Sequence, residues 1–179
     1  GALAERVLVL DGATGTVLQA EGLGAADFGG PDREGCNEAL CETRPDVVLE
    51  LHRRYLVAGA DAVETNSFGA TPLVLAEYGL ADRAFALNAC AALLARRVCT
   101  QHEQPGRPRF VFGAMGPTTR SLSVTGGISF DELAGHYRVQ ALGLMAGGAD
   151  VLLLETCQDT RNIKAGLAGT GGVHTHEDA

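Results

Sequence analysis

Two carboxylates and a glycine-rich turn are the residues of this sequence best suited to chemistry. Asp11 stands directly before Gly12-Ala13-Thr14-Gly15, and Glu155 closes a distant apolar run, Val151–Leu154. Glycines let a backbone approach a ligand closely, so the N–H groups of such a turn can receive a carboxylate. Two side-chain carboxylates, in turn, attract a cation. A ligand with an ammonium near Asp11 and Glu155 and a carboxylate on the turn is an amino acid, and one with its charges reversed is repelled. The same residue types also occur as solvated strand ends, so the spacing alone leaves both readings open and does not specify the ligand's side chain.

Such residues act together only if a scaffold brings them to one place. Short β-rich runs alternate here with longer segments of helical period, the pattern of a parallel sheet wrapped by crossover helices, with about four such units. The first expected strand is Val7–Leu10, followed by the turn and a helix. Next comes a helix with Thr43 as its cap, Pro45 in its first turn, apolar positions at Val48, Leu51, Tyr55 and Ala58, and Gly59 as its stop. It leads into a strand over Ala62–Thr65. A helical period from Ala84 to Val98 precedes Pro105 and Pro108 and a strand at Phe110–Ala114. Ser129-x-x-Glu132 forms a capping box ahead of Leu133, Tyr137, Ala141 and Leu144, and Gly147-Gly148 ends that helix before Val151–Leu154. Asp159 or Thr160 opens a last helix. In parallel α/β proteins ligands bind at the carboxyl ends of strands, which here carry Asp11, Glu64-Thr65-Asn66, Gly113 to Pro117 and Glu155.

An internal echo supports repeated units. Gly59-Ala60-Asp61 precedes a strand ending Glu64-Thr65, and Gly148-Ala149-Asp150 precedes one ending Glu155-Thr156. Both Asp-to-Glu offsets are odd, so with side chains alternating along a strand each Glu bears the same relation to its Asp.

Composition narrows the class. With 179 residues, 46% of them hydrophobic and 20% charged, the chain can bury one core, and a single domain is expected. A net charge of -8 with scattered arginines argues against a nucleic-acid surface. The apolar runs fall short of the roughly 20 residues a membrane helix needs, and the start lacks a signal peptide's regions, so a cytoplasmic protein is expected. Five cysteines at irregular spacing read as reduced thiols rather than a disulfide framework.

Taken together, LVLDGATGTVLQ, GCNEALCETRPDVVLELHRRYLVAGADAVETNSFGAT, FVFGAMGPTTRSLSVTGGISFDEL and GGADVLLLETCQDTRNIKAGL closely resemble the homocysteine S-methyltransferases over residues 7 to about 168. The stretch GPTTRSLSVTGGISF is more similar to the N-terminal module of the cobalamin-dependent methionine synthases than to the betaine- or S-methylmethionine-dependent enzymes. The resemblance implies a TIM-type (β/α)8 barrel, of which residues 1–168 would be the N-terminal half and 169–179 a loose tail. It implies that Asp11 and Glu155 bind the homocysteine amino group, that Gly12 and Ala13 offer amides to its carboxylate, and that Thr65 and Asn66 line the pocket. It also implies methyl transfer from methylcobalamin to a zinc-held thiolate, with cobalamin and methyltetrahydrofolate on other modules. A free thiol with a pKa of ~8.5 is only a few per cent ionised at neutral pH, which gives the metal its purpose.

The family's zinc cysteines belong to later motifs, a lone Cys and a Gly-Gly-Cys-Cys pair, that this sequence does not contain. Cys36, Cys41 and Cys157 with His174 and His176 are zinc-binding residue types, but the C-x4-C spacing is looser than in common structural sites. They read instead as a connection and a tail, with Cys90 on a helix and His52 and His136 as surface or packing residues of helix faces. A half-barrel would leave strand edges and an apolar inner face open, so self-association, association with a missing half, or a place within a larger chain is expected. The isolated chain is expected to be incompetent alone, with a non-catalytic assembly module as the alternative.

Overall fold

Glycine and proline punctuation sets most element boundaries in the computed structural model, which describes residues 4–173. Helix α1 (Thr14–Ala20) follows the first turn, and a short helix α2 (Leu40–Thr43) precedes α3 (Pro45–Ala58). Pro45 occupies the first turn of α3, where a missing N–H costs nothing, and Gly59 at φ 110° closes it in a left-handed conformation. Strand β1 (Ala62–Glu64) comes next, then α4 (Pro72–Leu75), α5 (Ala84–His102), β2 (Phe110–Met115), α6 (Phe130–Ala146), β3 (Val151–Leu154) and α7 (Thr160–Thr170). The expected capping box starts α6: Ser129 Oγ accepts from the Glu132 amide, and the Glu132 carboxylate accepts from the Ser129 amide.

The three strands form an open parallel sheet in the order β1-β2-β3. Val63 lies beside Val111, and Phe112 beside Val151. Alternation puts Val63, Val111 and Met115 into a buried cluster with Leu56 of α3, Ala92 and Ala95 of α5, and Leu133, Tyr137 and Leu144 of α6. Helices α5 and α6 approach closely through glycine. A Cβ on Gly143 would lie 2.6 Å from the Phe85 carbonyl oxygen, and one on Gly147 would lie 2.2 Å from that of Ala89.

The echo in the sequence has a structural counterpart. Asp61 accepts the Val9 amide at 3.0 Å, and Asp150 accepts the Val111 amide at 2.7 Å, so each Asp ties the start of its strand to the segment before it. Asp61 also receives Arg6 at 2.8 Å and Arg107 at 3.4 Å, and the guanidinium of Arg6 in particular holds its carboxyl down at about 2.

Several expectations change. The first strand, expected over Val7–Leu10, is reduced to one parallel bridge, Leu10 to Ala62, because the Val9 amide bonds the Asp61 side chain rather than a strand carbonyl. Thr43 does not cap α3; its hydroxyl donates back to the Ala39 carbonyl at 3.1 Å, and Arg44 takes the N-cap position. Thr65 falls just outside β1, while β2 runs on to Met115 and α5 to His102. Helix α7 extends past Leu167 to Thr170, with Gly169 buried against Ala134 and Tyr137, so the loose tail does not begin at Gly169. His174 and His176 lie outside the described residues. No described helix is long and apolar enough to cross a membrane.

Candidate functional site

The carboxyl ends of β1 and β3 and the turn before α1 converge on one cavity of about 290 Å³. Ala13, Thr65, Asn66 and Glu155 line it, together with Thr14, Asn37, Glu38, Glu64 and Phe68. Asp11 reaches the same region from the bridged first segment. Its amide donates to the Ala62 carbonyl at 3.2 Å, and its Oδ1 accepts the Glu64 amide at 2.8 Å. Its other oxygen, Oδ2, is buried with no hydrogen-bond partner, as is Thr14 Oγ1. A buried acceptor without a donor is costly, and a ligand cation would satisfy it.

Local conformation supports the turn's part. Ala13 adopts φ 53°, ψ 29° at the N-cap of α1, a left-handed conformation that bends the chain sharply between Gly12 and Thr14. The first amides of a helix have no intrahelical acceptor, so this bend presents donors beside the cavity. Thr156, directly after Glu155, also has a positive φ of 54°. A β-branched residue there is strained, and such strain concentrates at functional sites.

Electrostatics sets this cavity apart. Burial pushes Asp11 up to about 7, and its bond from the Glu64 amide only partly opposes that. Burial and then the negative charge of Glu155 push Glu64 up to about 7, and burial raises Glu155 as well. The residues lining the cavity include Glu38, Glu64 and Glu155 and no Arg, Lys or His. Several carboxylates with no side-chain counter-ion form a site short of positive charge.

The two pocket residues expected after β1 are fixed by the fold. Thr65 is buried, its Oγ1 accepting the Ala114 amide at 3.0 Å and bonding Ser67 Oγ at 2.6 Å. Asn66 donates to the Asn37 carbonyl at 2.7 Å and faces Cys41 Sγ at 3.6 Å. Glu64 and Glu38 belong to the cavity wall, although sequence reasoning gave neither a role in binding. The odd spacing of Asp61 and Glu64, matched by Asp150 and Glu155, was the signal that pointed to Glu64. Glu38 carried none, since its place depends on its Oε1 accepting the Gly69 amide at 2.6 Å.

The thiols do not assemble a metal cage. Among the described residues no group of three His, Cys, Asp or Glu side chains could hold a metal ion. Burial holds Cys41 well above its ordinary range and Cys36 up to about 11, which favours the protonated thiols. The described residues therefore do not fit the zinc that the family resemblance implies.

A larger cavity of about 790 Å³ lies between the loop after β2 and the start of α7. Asp159 caps α7 through the Arg161 amide and also clamps this loop, accepting the Ser123 amide at 2.8 Å, Ser123 Oγ at 2.8 Å and the Ser121 hydroxyl. Buried Asn162 adds a second clamp, accepting the Leu122 amide at 2.9 Å and donating to the Arg120 carbonyl at 2.8 Å. Replacing Asp159 with Ala removes cap and clamp together. The expected result is a lower urea midpoint and faster amide exchange confined to residues 121–123 and the first turn of α7. Unchanged exchange at Ser123 would show that the clamp does not hold the loop.

In parallel α/β folds the carboxyl ends of the strands, where the acidic residues gather here, are the face at which such proteins bind small ligands. The chain belongs to the homocysteine S-methyltransferase family, whose sequence model matches residues 8–174. It is 48% identical to methionine synthase of Mycobacterium tuberculosis over 168 residues, and 46% identical to that of Mycobacterium leprae over the same length. These matches cover 94% of this chain but only 14% of each relative. Among solved structures it is similar to the homocysteine methyltransferase MmuM from Escherichia coli. The metallated form gives a TM-score of 0.74 at 28% identity over 92% of this chain and 59% of that one. The oxidized form gives 0.73 at 28% identity over 91% and 57%.

Proposed function

We propose that this chain is the homocysteine-binding part of a methionine synthase. In this reading the sheet and its bridged first segment are the opening units of a (β/α)8 barrel, with residues 1–168 forming its first half. The observation that carries the proposal is the cavity at the strand ends, lined by Glu64 and Glu155 without a side-chain counter-ion, with Asp11 held beside it by the Glu64 amide. The ammonium of homocysteine supplies the missing charge by docking on Asp11 and Glu155. The Gly12 and Ala13 amides receive its carboxylate, and Thr65 and Asn66, held by their own hydrogen bonds, give the pocket a fixed wall.

Methyl transfer to sulfur needs a thiolate, and in this reading zinc supplies it. The described residues provide no cage for that ion, so their part is to bind and orient the amino acid. Methylcobalamin and methyltetrahydrofolate belong to other modules of the native protein, and the rest of the barrel is this chain's first partner. A donor such as betaine or S-methylmethionine is the competing possibility, and assays of the complete protein with each donor separate them. The open edge of β3 favours a second reading, an assembly module that pairs with another chain and leaves the pocket empty.

Ligand analogues test the binding assignment. L-Homocysteine is expected to bind, and 4-sulfanylbutanoate, which lacks the ammonium, should bind at least about tenfold more weakly, roughly 1.4 kcal/mol or more. Equal affinity for the two would mean that the carboxylates do not hold the amino group, and no binding of either would favour the assembly module.

A further inference from the structure

Phe68 is a large apolar side chain left 41% exposed, and it borders the cavity at the strand ends. Its backbone is held on both sides. Gln140 Nε2 donates to the Ser67 carbonyl at 2.7 Å, the Gly69 amide donates to Glu38 Oε1 at 2.6 Å, and the Gly116 amide donates to the carbonyl of Phe68 itself at 2.9 Å. The ring rests on the bare Cα of Gly116, just beyond β2, where a Cβ would lie 2.7 Å from two of the ring carbons. Gly116 is fixed in turn, its carbonyl accepting the hydroxyl of buried Tyr137 at 3.0 Å. The ring is thus seated from behind on a rigid support while it stays part-exposed at the cavity, the arrangement of a ligand-contacting wall rather than of core packing.

The polar side chains beside the ring are already engaged within the protein. Thr65 Oγ1 accepts the Ala114 amide and bonds Ser67 Oγ, which donates to the Ala114 carbonyl at 2.8 Å. The side-chain amide of Asn66 gives its hydrogens to the Asn37 carbonyl at 2.7 Å and to Cys41 Sγ at 3.6 Å. From Thr65 to Phe68 this wall therefore offers an aromatic ring and no spare side-chain donor. A ligand hydroxyl placed against it loses its water and gains no donor in return, whereas a thiol or thioether loses little and gains a sulfur–aromatic contact. We propose that Phe68 is the specificity-determining residue of this pocket, the wall that selects an amino acid with sulfur in its side chain over the hydroxyl counterpart. The proposal rests on the reading of this cavity as an amino-acid site. It adds what anchors for an ammonium and a carboxylate leave open, the chemistry of the side chain between them and solvent.

The test is calorimetric titration of L-homocysteine and L-homoserine, which differ only in sulfur against oxygen, into the wild-type chain, Phe68→Ala and Gly116→Ala. Chelator and reductant are present at about pH 7, where the thiol is mostly protonated and both side chains are neutral. The wild-type chain is expected to prefer L-homocysteine by at least about tenfold. Phe68→Ala should cut that preference to about threefold or less, by weakening L-homocysteine while L-homoserine stays within about twofold. Gly116→Ala, whose methyl group pushes the ring off its seat, should lower the preference in the same sense. Equal affinity of the wild type for the two amino acids, or a preference unchanged in Phe68→Ala, would overturn the role of Phe68 while leaving the amino-acid site intact. A parallel fall in both affinities would overturn it too, since that marks the ring as a structural prop. Absence of binding by either amino acid to the wild type would instead overturn both this role and the reading on which it rests. If Phe68→Ala does not fold, the ratio measured for Gly116→Ala against the wild type decides.

Discussion

Asp11→Asn should make the unliganded protein more stable at pH 7.5 while removing its affinity for an amino acid. The carboxyl of Asp11 is pushed from an ordinary value near 3.8 up to about 7, chiefly by burial. The folded state therefore binds more protons than the unfolded state between about pH 4 and pH 7. Stability contributed by this group is present below its unfolded value and is lost as pH rises through its folded value. Asparagine keeps the oxygen that accepts the Glu64 amide and introduces no charge, so the variant avoids this loss. The expected gain is near zero at pH 4 and about 1–2 kcal/mol at pH 7.5, allowing for partial solvent exposure of the group. Buried His52, with both ring nitrogens unpartnered and its pKa pushed down to about 4, has the opposite sign and weakens the fold as pH falls from about 6.5 to 4. It contributes equally to both proteins and cancels in their difference. Urea unfolding of the pair across this range is the check, and a variant less stable than wild type at pH 7.5 would show that Asp11 supports the fold rather than straining it.

Gly143→Ala should force apart the close contact between α5 and α6. The added Cβ meets the Phe85 carbonyl oxygen at 2.6 Å and Asn88 Cβ at 2.8 Å, and neither is the free end of a flexible side chain. Helices α5 and α6 must separate, which disturbs the buried contact on which both lean against the sheet. A cost of about 3 kcal/mol is expected, at the upper end for overpacking of a close contact. The same substitution at Gly135, one face round on the same helix with nothing within 4 Å, should stabilise by about 1 kcal/mol through helix propensity alone. Equal effects at the two glycines, measured by urea unfolding, would contradict the packing described here.

The sequence showed clearly whatever depends on local chemistry. Ser129 and Glu132 read as a capping box because both halves of that motif lie within one turn, and Gly59 read as a helix stop because only glycine takes its left-handed φ readily. The gathering of Ala13, Thr65, Asn66 and Glu155 about one cavity was accessible too, since a parallel sheet sends strand ends to a common face. Features set by distant partners were not. The first strand shrank to a bridge at Leu10 because the side chain of Asp61, far along the chain, takes the amide of Val9. Thr43 looks like an N-cap from its neighbours, yet its hydroxyl turns back to Ala39 and Arg44 takes the cap position. The end of α7 was misplaced because the apolar period stops after Leu167, whereas the lack of a side chain at Gly169 lets α7 rest on Ala134 and Tyr137 of α6. Glu64 was visible as a strand-end acid, but its place on one cavity wall with Glu155 depends on how three strands lie side by side.

The central claim is that Asp11 and Glu155 hold the ammonium of homocysteine in a pocket that does not itself carry the metal. Calorimetric titration of L-homocysteine into the wild-type chain, Asp11→Asn and Glu155→Gln, with and without zinc, addresses it directly. Weak binding by the wild type that is independent of zinc and lost in both variants is the predicted result. Binding that survives both substitutions, or that appears only with zinc through Cys36, Cys41 or Cys157, would contradict it.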